Sequence, residues 1–193
     1  MSLLDFAPAT QIPRDPRAAQ IRVSLKRAAF ELAQERAIEE ISVKDIVGRA
    51  HVSRQVFYNH FPDRDSALKT SIVESMDAAL VGLDPQDASG LFVRLLSWNA
   101  DHPHLYENLF PSKVAQALIE HNKDLLRPMC VQRVLALKSD LSAAEQQMLT
   151  TFYVSGIIGV LWTRNSQDDD LNLTAQDCIN LFSQLSDYPW SRT

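Results

Sequence analysis

Apolar residues recur along this chain at intervals of three and four, the spacing that gives an α-helix one buried face. From Pro16, which a first helical turn tolerates, Ile21, Leu25, Ala28, Ala29 and Leu32 form such a stripe. Phe30 joins it from the flank, and the pattern predicts a helix to about Arg36. Arg22, Lys26 and Arg27 fall off the stripe and read as a solvated charged face. Ser42 is a good N-cap, and Asp45 three residues on fits the acidic partner of a capping box. Val43, Ile46, Val47 and Ala50 then share one apolar face. His51 and Val52 make a corner, after which Ser53 caps another helix. In that helix Val56 and Phe57 turn inward, leaving Arg54, Gln55, Tyr58 and Asn59 to point out. Pro62 breaks the chain, and Asp63 caps a further helix from Arg64 to about Gly82.

The rest of the sequence predicts an all-α fold. Leu83-Asp84-Pro85 and Ser89-Gly90 punctuate it, and Leu91 to Asp101 reads as a helix. His102 to Tyr106 reads as a turn or a single helical turn. Pro111-Ser112 starts a long helix to about Lys138, with Val114, Leu118, Leu125 and Leu126 on its buried side and Pro128 expected to kink or divide it. Ser142 with Glu145 is a second capping box, opening a helix from Ala143 to about Asn165. Leu149, Phe152, Tyr153, Val154, Ile157, Ile158, Val160, Leu161 and Trp162 cover nearly its whole circumference, which predicts burial on all sides. Ser155, Gly156 and Gly159 make a small-residue groove on it. After the acidic run Asp168-Asp169-Asp170, Thr174 caps a last helix with Cys178, Ile179, Leu181, Phe182 and Leu185.

Two short capped helices joined at a tight corner are a helix-turn-helix signature, whose second helix enters the DNA major groove. Here a family resemblance enters. Ser42-Val43-Lys44-Asp45-Ile46, Val52-Ser53, Phe57-Tyr58-Asn59-His60-Phe61, Arg64 and Leu68 resemble the N-terminal domain of the TetR family over about Gln20 to Leu68. Two positions depart from its pattern: Ala37 stands where the first helix usually ends in Gly, and His51 replaces the common turn Gly. Ala in a left-handed C-cap costs roughly 1 kcal/mol, so that turn is expected to be built differently.

The resemblance implies a DNA-facing set of Ser42, Lys44, Ser53, Arg54, Gln55, Tyr58, Asn59, His60 and Arg64. Arg54 and Gln55 suit guanine and adenine, and Asn59 also presents an amide. Tyr58 and His60 reach the backbone or pack on the first helix, and Arg64 takes the phosphate role of the family's Lys. It further implies a homodimer on a palindromic operator, joined through the last two helices at Ser155, Gly156, Gly159, Trp162, Ile179 and Phe182. The middle helices would enclose a small-molecule effector, with Trp98, His102, Tyr106, Phe110, Met129 and Phe152 as candidate lining. The expected domains are an arm over 1–15, in which Arg14 (with Arg17 just beyond) has the option of reaching DNA, a DNA-binding unit over 16–63 and an effector and dimerisation unit over 64–193.

A net charge of −5 argues against nucleic acid until its distribution is considered. Up to Thr70 there are 11 Lys and Arg against 9 Asp and Glu; from Ser71 onward 8 stand against 15, so the positive balance falls in the segment with the expected reading helix. With 193 residues, 46% apolar and 22% charged, the composition is that of a globular protein with a real core. No apolar run approaches the roughly 18 residues of a membrane span, and the N-terminus lacks a signal-peptide pattern. Cys130 and Cys178 lie far apart, as a reduced pair in a cytoplasmic protein would. His102 and His104 flank a proline at a metal-like spacing but have no third ligand near them in sequence. There is no glycine-rich phosphate loop, nucleophile elbow or H-E-x-x-H, so neither cofactor nor catalysis is expected. Two readings stand: a ligand-responsive regulator, most simply a repressor, or an all-helical small-molecule-binding protein, rarely an enzyme, that keeps the helix-turn-helix as scaffold.

Overall fold

A computed structural model describes residues 16–84, 88–137 and 141–163. The expected arm, the acidic run after Asn165 and the last helix with Ile179 and Phe182 lie outside the described residues. The described residues form α1 (Pro16–Glu35), a 3-10 turn (Ile38–Glu40), α2 (Val43–Ala50), α3 (Arg54–Tyr58), α4 (Arg64–Ala79), α5 (Ala88–Asp101), α6 (Pro103–Leu109), α7 (Lys113–Leu137) and α8 (Ala143–Thr163). None of these helices is long and apolar enough to cross a membrane.

The stripe of α1 is buried as its spacing predicts, with Leu25, Ala28, Ala29 and Leu32 in the core and Ala33 extending it. It packs on α2, α4 and α6, while α4 meets α5 and α7, and α7 lies along α8. One contiguous core therefore runs from Leu25 to Leu161, through Ile46, Phe57, Leu68, Ile72, Leu95 and Leu118. Such an arrangement places α4 between the first three helices and the rest.

Between α1 and α2 the chain departs from the left-handed ending. Ala37 is extended, at φ −51° and ψ 133°, and leads into the 3-10 turn, so no left-handed residue is needed there. The strain falls one helix later. His51, closing α2, is left-handed at φ 55° and ψ 42°, and among the described residues it alone has positive φ without being glycine. Its side chain is exposed, so nothing in the core requires it. His51→Gly is expected to stabilise the chain by up to about 1 kcal/mol, measured as a rise in the urea midpoint.

Three expectations need correcting. α6 is a two-turn helix rather than a turn, because Leu105, Tyr106 and Leu109 bury together on one side of it. Pro128 does not divide α7: it is exposed, where water can satisfy the carbonyl that its missing N–H leaves free. Nor is α8 buried all round. Met148 and Phe152 are 71% and 57% exposed, and Ser155 and Gly159 continue the same outward stripe.

Candidate nucleic-acid interface

The helix-turn-helix is fixed by local caps. The Ser42 hydroxyl accepts the Asp45 N–H at 3.3 Å while Asp45 accepts the Ser42 N–H at 2.8 Å, completing the capping box. Arg36 adds an ion pair to Asp45 at 3.2 Å. The Ser42 hydrogen bonds, and after them Arg36, hold the Asp45 carboxyl down at about pKa 2. A carboxylate depressed in the folded state stabilises fully above its unfolded pKa near 3.8, and loses that contribution as pH falls toward 2. The stability gap between the parent chain and Asp45→Asn is therefore expected to be widest above pH 5 and to close near pH 2, read from urea midpoints. At the next helix the Ser53 hydroxyl accepts the Val56 N–H at 3.2 Å. Asp63 does the same for Ser66 at 2.7 Å at the start of α4.

Phe57, fully buried, anchors α3, with Tyr58 edge-on at 5.3 Å and Phe61 at 5.8 Å. Arg54, Gln55, Tyr58 and Asn59 are left exposed, as their phase predicts, and Lys44 is exposed on α2. Lys44 and Arg54 have no ion-pair or hydrogen-bond partner in the side chain among the described residues.

The neighbouring cations behave differently. Arg49 forms a fork on Glu35 at 2.8 and 2.7 Å. Lys26 pairs with Glu74 of α4, and Arg27 lies 3.8 Å from Glu31. Arg22, off the apolar stripe, is not a solvated charge: it donates to the His60 carbonyl at 2.7 Å and lies over the Phe61 ring at 4.4 Å, tying α1 to the end of α3. His60 is half-buried, and burial together with the Arg22 charge pushes its imidazole down, toward the neutral form at pH 7.

Arg64 requires the largest revision. Its guanidinium donates to the carbonyls of Glu39 at 3.3 Å and Ile41 at 3.0 Å, to the Glu39 carboxylate at 3.3 Å and to Asp65 at 2.8 Å. All three nitrogens are engaged, so the group locks the start of α4 to the 3-10 turn before α2 rather than standing free for a phosphate. Lys69, exposed on α4 without a side-chain partner among the described residues, is a cation that no motif singled out.

The candidate effector residues divide. Trp98, His102, Tyr106 and Phe110 form a chain of rings completed by Trp162: 4.7 Å from Trp98 to His102, 6.2 Å from Trp98 to Tyr106, 5.0 Å from Tyr106 to Trp162 and 4.8 Å from Phe110 to Trp162. Trp162 thus faces inward instead of lying in the outer stripe expected to meet a second subunit. Tyr106 donates to Asn99, and Asn99 donates to the Leu161 carbonyl at 3.1 Å. Trp162 Nε1 and Asn122 Oδ1 are buried without a partner among the described residues. Met129 lies half-buried against the core, while Phe152 projects from the outer face of α8 beside Tyr153. The two candidate metal histidines are otherwise engaged: His102 Nδ1 is 2.7 Å from the Trp98 carbonyl and His104 Nδ1 3.3 Å from Glu107.

Residues 25–68 match the family model of bacterial regulatory proteins, tetR family, which spans the last part of α1, the whole helix-turn-helix and the first turn of α4. Over that segment the chain is similar to the DNA-binding domain of the TetR family. An HTH-type transcriptional repressor of Streptomyces coelicolor is 30% identical over 99 residues, 50% of each chain, so the match spans about half the length of that relative. Among solved structures, a TetR transcriptional regulator from Streptococcus agalactiae superposes with a TM-score of 0.68 at 20% identity, covering 88% of this chain and 95% of that one. The dihydroxyacetone kinase operon activator DhaS gives 0.66 at 16% identity, covering 86% and 96%. At those identities the structural likeness is one of fold, and it takes in the helices beyond the matched TetR segment.

Proposed function

We propose that this chain is a TetR-family, non-enzymatic, ligand-responsive regulator of transcription that binds duplex DNA as a homodimer in the cytoplasm. The observation that carries this reading is the division of charge around α2 and α3. Arg22, Arg36, Arg49 and Arg64 are engaged by the protein itself, whereas Lys44 and Arg54 stand free beside Gln55, Tyr58 and Asn59. A scaffold has no need to keep those groups exposed and unpaired; a groove-reading helix does. Lys44 and Tyr58 are assigned to the backbone, Arg54, Gln55 and Asn59 to base edges, and Ser42 and Ser53 to the helix N-termini that approach phosphates. His60, neutral and half-buried, supports the end of α3, and Arg64 positions α4.

The outward stripe of α8 supports the second subunit. Among the described residues a Cβ added at Gly159 meets no atom within 4 Å, and a small residue on an exposed helix face leaves room for close approach of another helix. The ring chain around Trp98 and Tyr106, with Trp162 Nε1 and Asn122 Oδ1 unpartnered among the described residues, supports a polar-capable site for an effector. α4 is the element through which such a site reaches the DNA-facing helices. Asp77 near its end meets His121 of α7 at 2.9 Å, Ser75 accepts from Trp98 Nε1 at 3.4 Å, and Arg64 holds the turn before α2. Release from DNA follows if the effector binds the DNA-incompetent arrangement better; about 1.4 kcal/mol of coupling gives a tenfold loss of DNA affinity.

Selection of bound fragments from the source genome by the purified chain tests the reading. The expected result is enrichment of a palindromic site, with a dimeric mass in solution. Uniform recovery of fragments together with a monomeric mass would favour the scaffold reading.

A further inference from the structure

Residues of α7 and α8 line a cleft of about 310 Å³, at the lower end of the range for small-molecule sites, roughly 300–1,000 Å³. Val131, Val134 and Leu135 form one apolar wall, and Arg127 stands on the same face of α7 one turn earlier. Across from them α8 presents Gln147 and Thr150. Thr150 is 4% exposed, yet its hydroxyl makes no hydrogen bond among the described residues, whereas Thr151 beside it donates to the Gln147 carbonyl at 2.9 Å. The Gln147 amide and the Arg127 guanidinium are also without hydrogen-bond or ion-pair partners among the described residues, none of which brings an acidic side chain to the cleft. A hydroxyl without a hydrogen bond, an exposed cation without a partner among the described residues and an apolar wall are groups that one bound molecule would engage together.

We propose that this cleft binds a small monocarboxylate with a compact apolar body. The carboxylate takes the planar fork of Arg127, which matches its two oxygens. Gln147 and Thr150 supply neutral donors, and the body lies on Val131, Val134 and Leu135. A single facing cation suits one negative charge rather than the two or more of a phosphorylated ligand. The site is separate from the ring chain: Leu161, which joins that chain through Asn99, lies eleven residues beyond Thr150, roughly 16 Å along the helix. It therefore goes beyond the proposed regulatory reading and stands whether or not the chain binds DNA.

Titration of the full chain with benzoate, followed in amide proton–nitrogen spectra, tests this. Saturable shifts centred on Gln147 and Thr150 are expected. Arg127→Gln, at an exposed position, is expected to weaken benzoate about tenfold, the size of one charge-assisted hydrogen bond. Benzyl alcohol, uncharged and of similar shape, is expected to bind both proteins equally. Thr150→Val is expected to weaken benzoate about threefold. Equal benzoate affinity for the parent chain and Arg127→Gln would overturn the proposal, as would shifts centred on the Trp98 and Trp162 indoles. Affinity that falls as protein concentration rises would also overturn it, because a second copy of the chain would then occupy the cleft.

Discussion

Replacement of Phe57 by alanine is expected to destabilise the chain by about 3–5 kcal/mol, the range for deleting a fully buried aromatic ring. Three observations place the effect there. The ring has no exposed surface. It lies against Tyr58 and Phe61, and Phe61 in turn carries the Arg22 guanidinium, so the cavity would open at the junction of α1 and α3. α3 itself spans only Arg54–Tyr58, far short of the roughly 12–15 residues an isolated helix needs in water, so tertiary anchorage holds it in place. Against a total of about 5–15 kcal/mol for a globular domain, the loss is large enough to populate the unfolded state. Urea denaturation followed by circular dichroism measures it, with the midpoint lowered and the slope unchanged. Tyr58→Ala next door, at 56% exposure, is the control and is expected to change stability by less than about 0.5 kcal/mol. A loss below about 1 kcal/mol for Phe57→Ala would mean that the ring is not the anchor of α3.

That contrast between Phe57 and Tyr58 was legible in the sequence, because helical phase and three-residue cap spacing are local. The caps at Ser42, Ser53 and Ser142 all form with the partners their spacing names. What local pattern conveys poorly is contact between distant segments. Arg22 reaches a carbonyl 38 residues away, and Arg64 reaches carbonyls 23 and 25 residues away. No periodicity distinguishes such an arginine from one in water. The turn after α1 shows a further limit. The missing glycine at Ala37 points to an altered ending, but the 3-10 turn that replaces it is set by the burial of Ile38 and Ile41. For α8, the apolar circumference gives the surface to be covered without saying which stripe the same chain covers. The cleft beside Thr150 is likewise invisible in sequence, since its lining comes from two different helices.

The second large effect separates residues that read DNA from those that hold the reader. Arg54→Ala and Gln55→Ala are each expected to cost about 1–3 kcal/mol of binding on the specific site, with little change on random duplex. Both side chains are exposed and leave the core intact, so urea midpoints are expected to stay within about 0.5 kcal/mol of the parent chain. Lys44→Ala, removing a free cation, is expected to weaken specific and random binding alike and to lower the salt slope by about one unit. Arg64→Ala is expected to behave in a third way. Its guanidinium already bonds the Glu39 and Ile41 carbonyls, so its loss strands two acceptors and lowers stability by about 1–3 kcal/mol. The salt slope should stay unchanged, because no phosphate contact is removed. Fluorescence anisotropy over a salt series, paired with urea denaturation, resolves all three patterns. A salt slope reduced by one unit in Arg64→Ala at unchanged stability would show that the guanidinium exchanges its carbonyls for a phosphate when DNA arrives. The turn before α2 would then be held by its own backbone, and the division between engaged and free cations would no longer mark the reading surface.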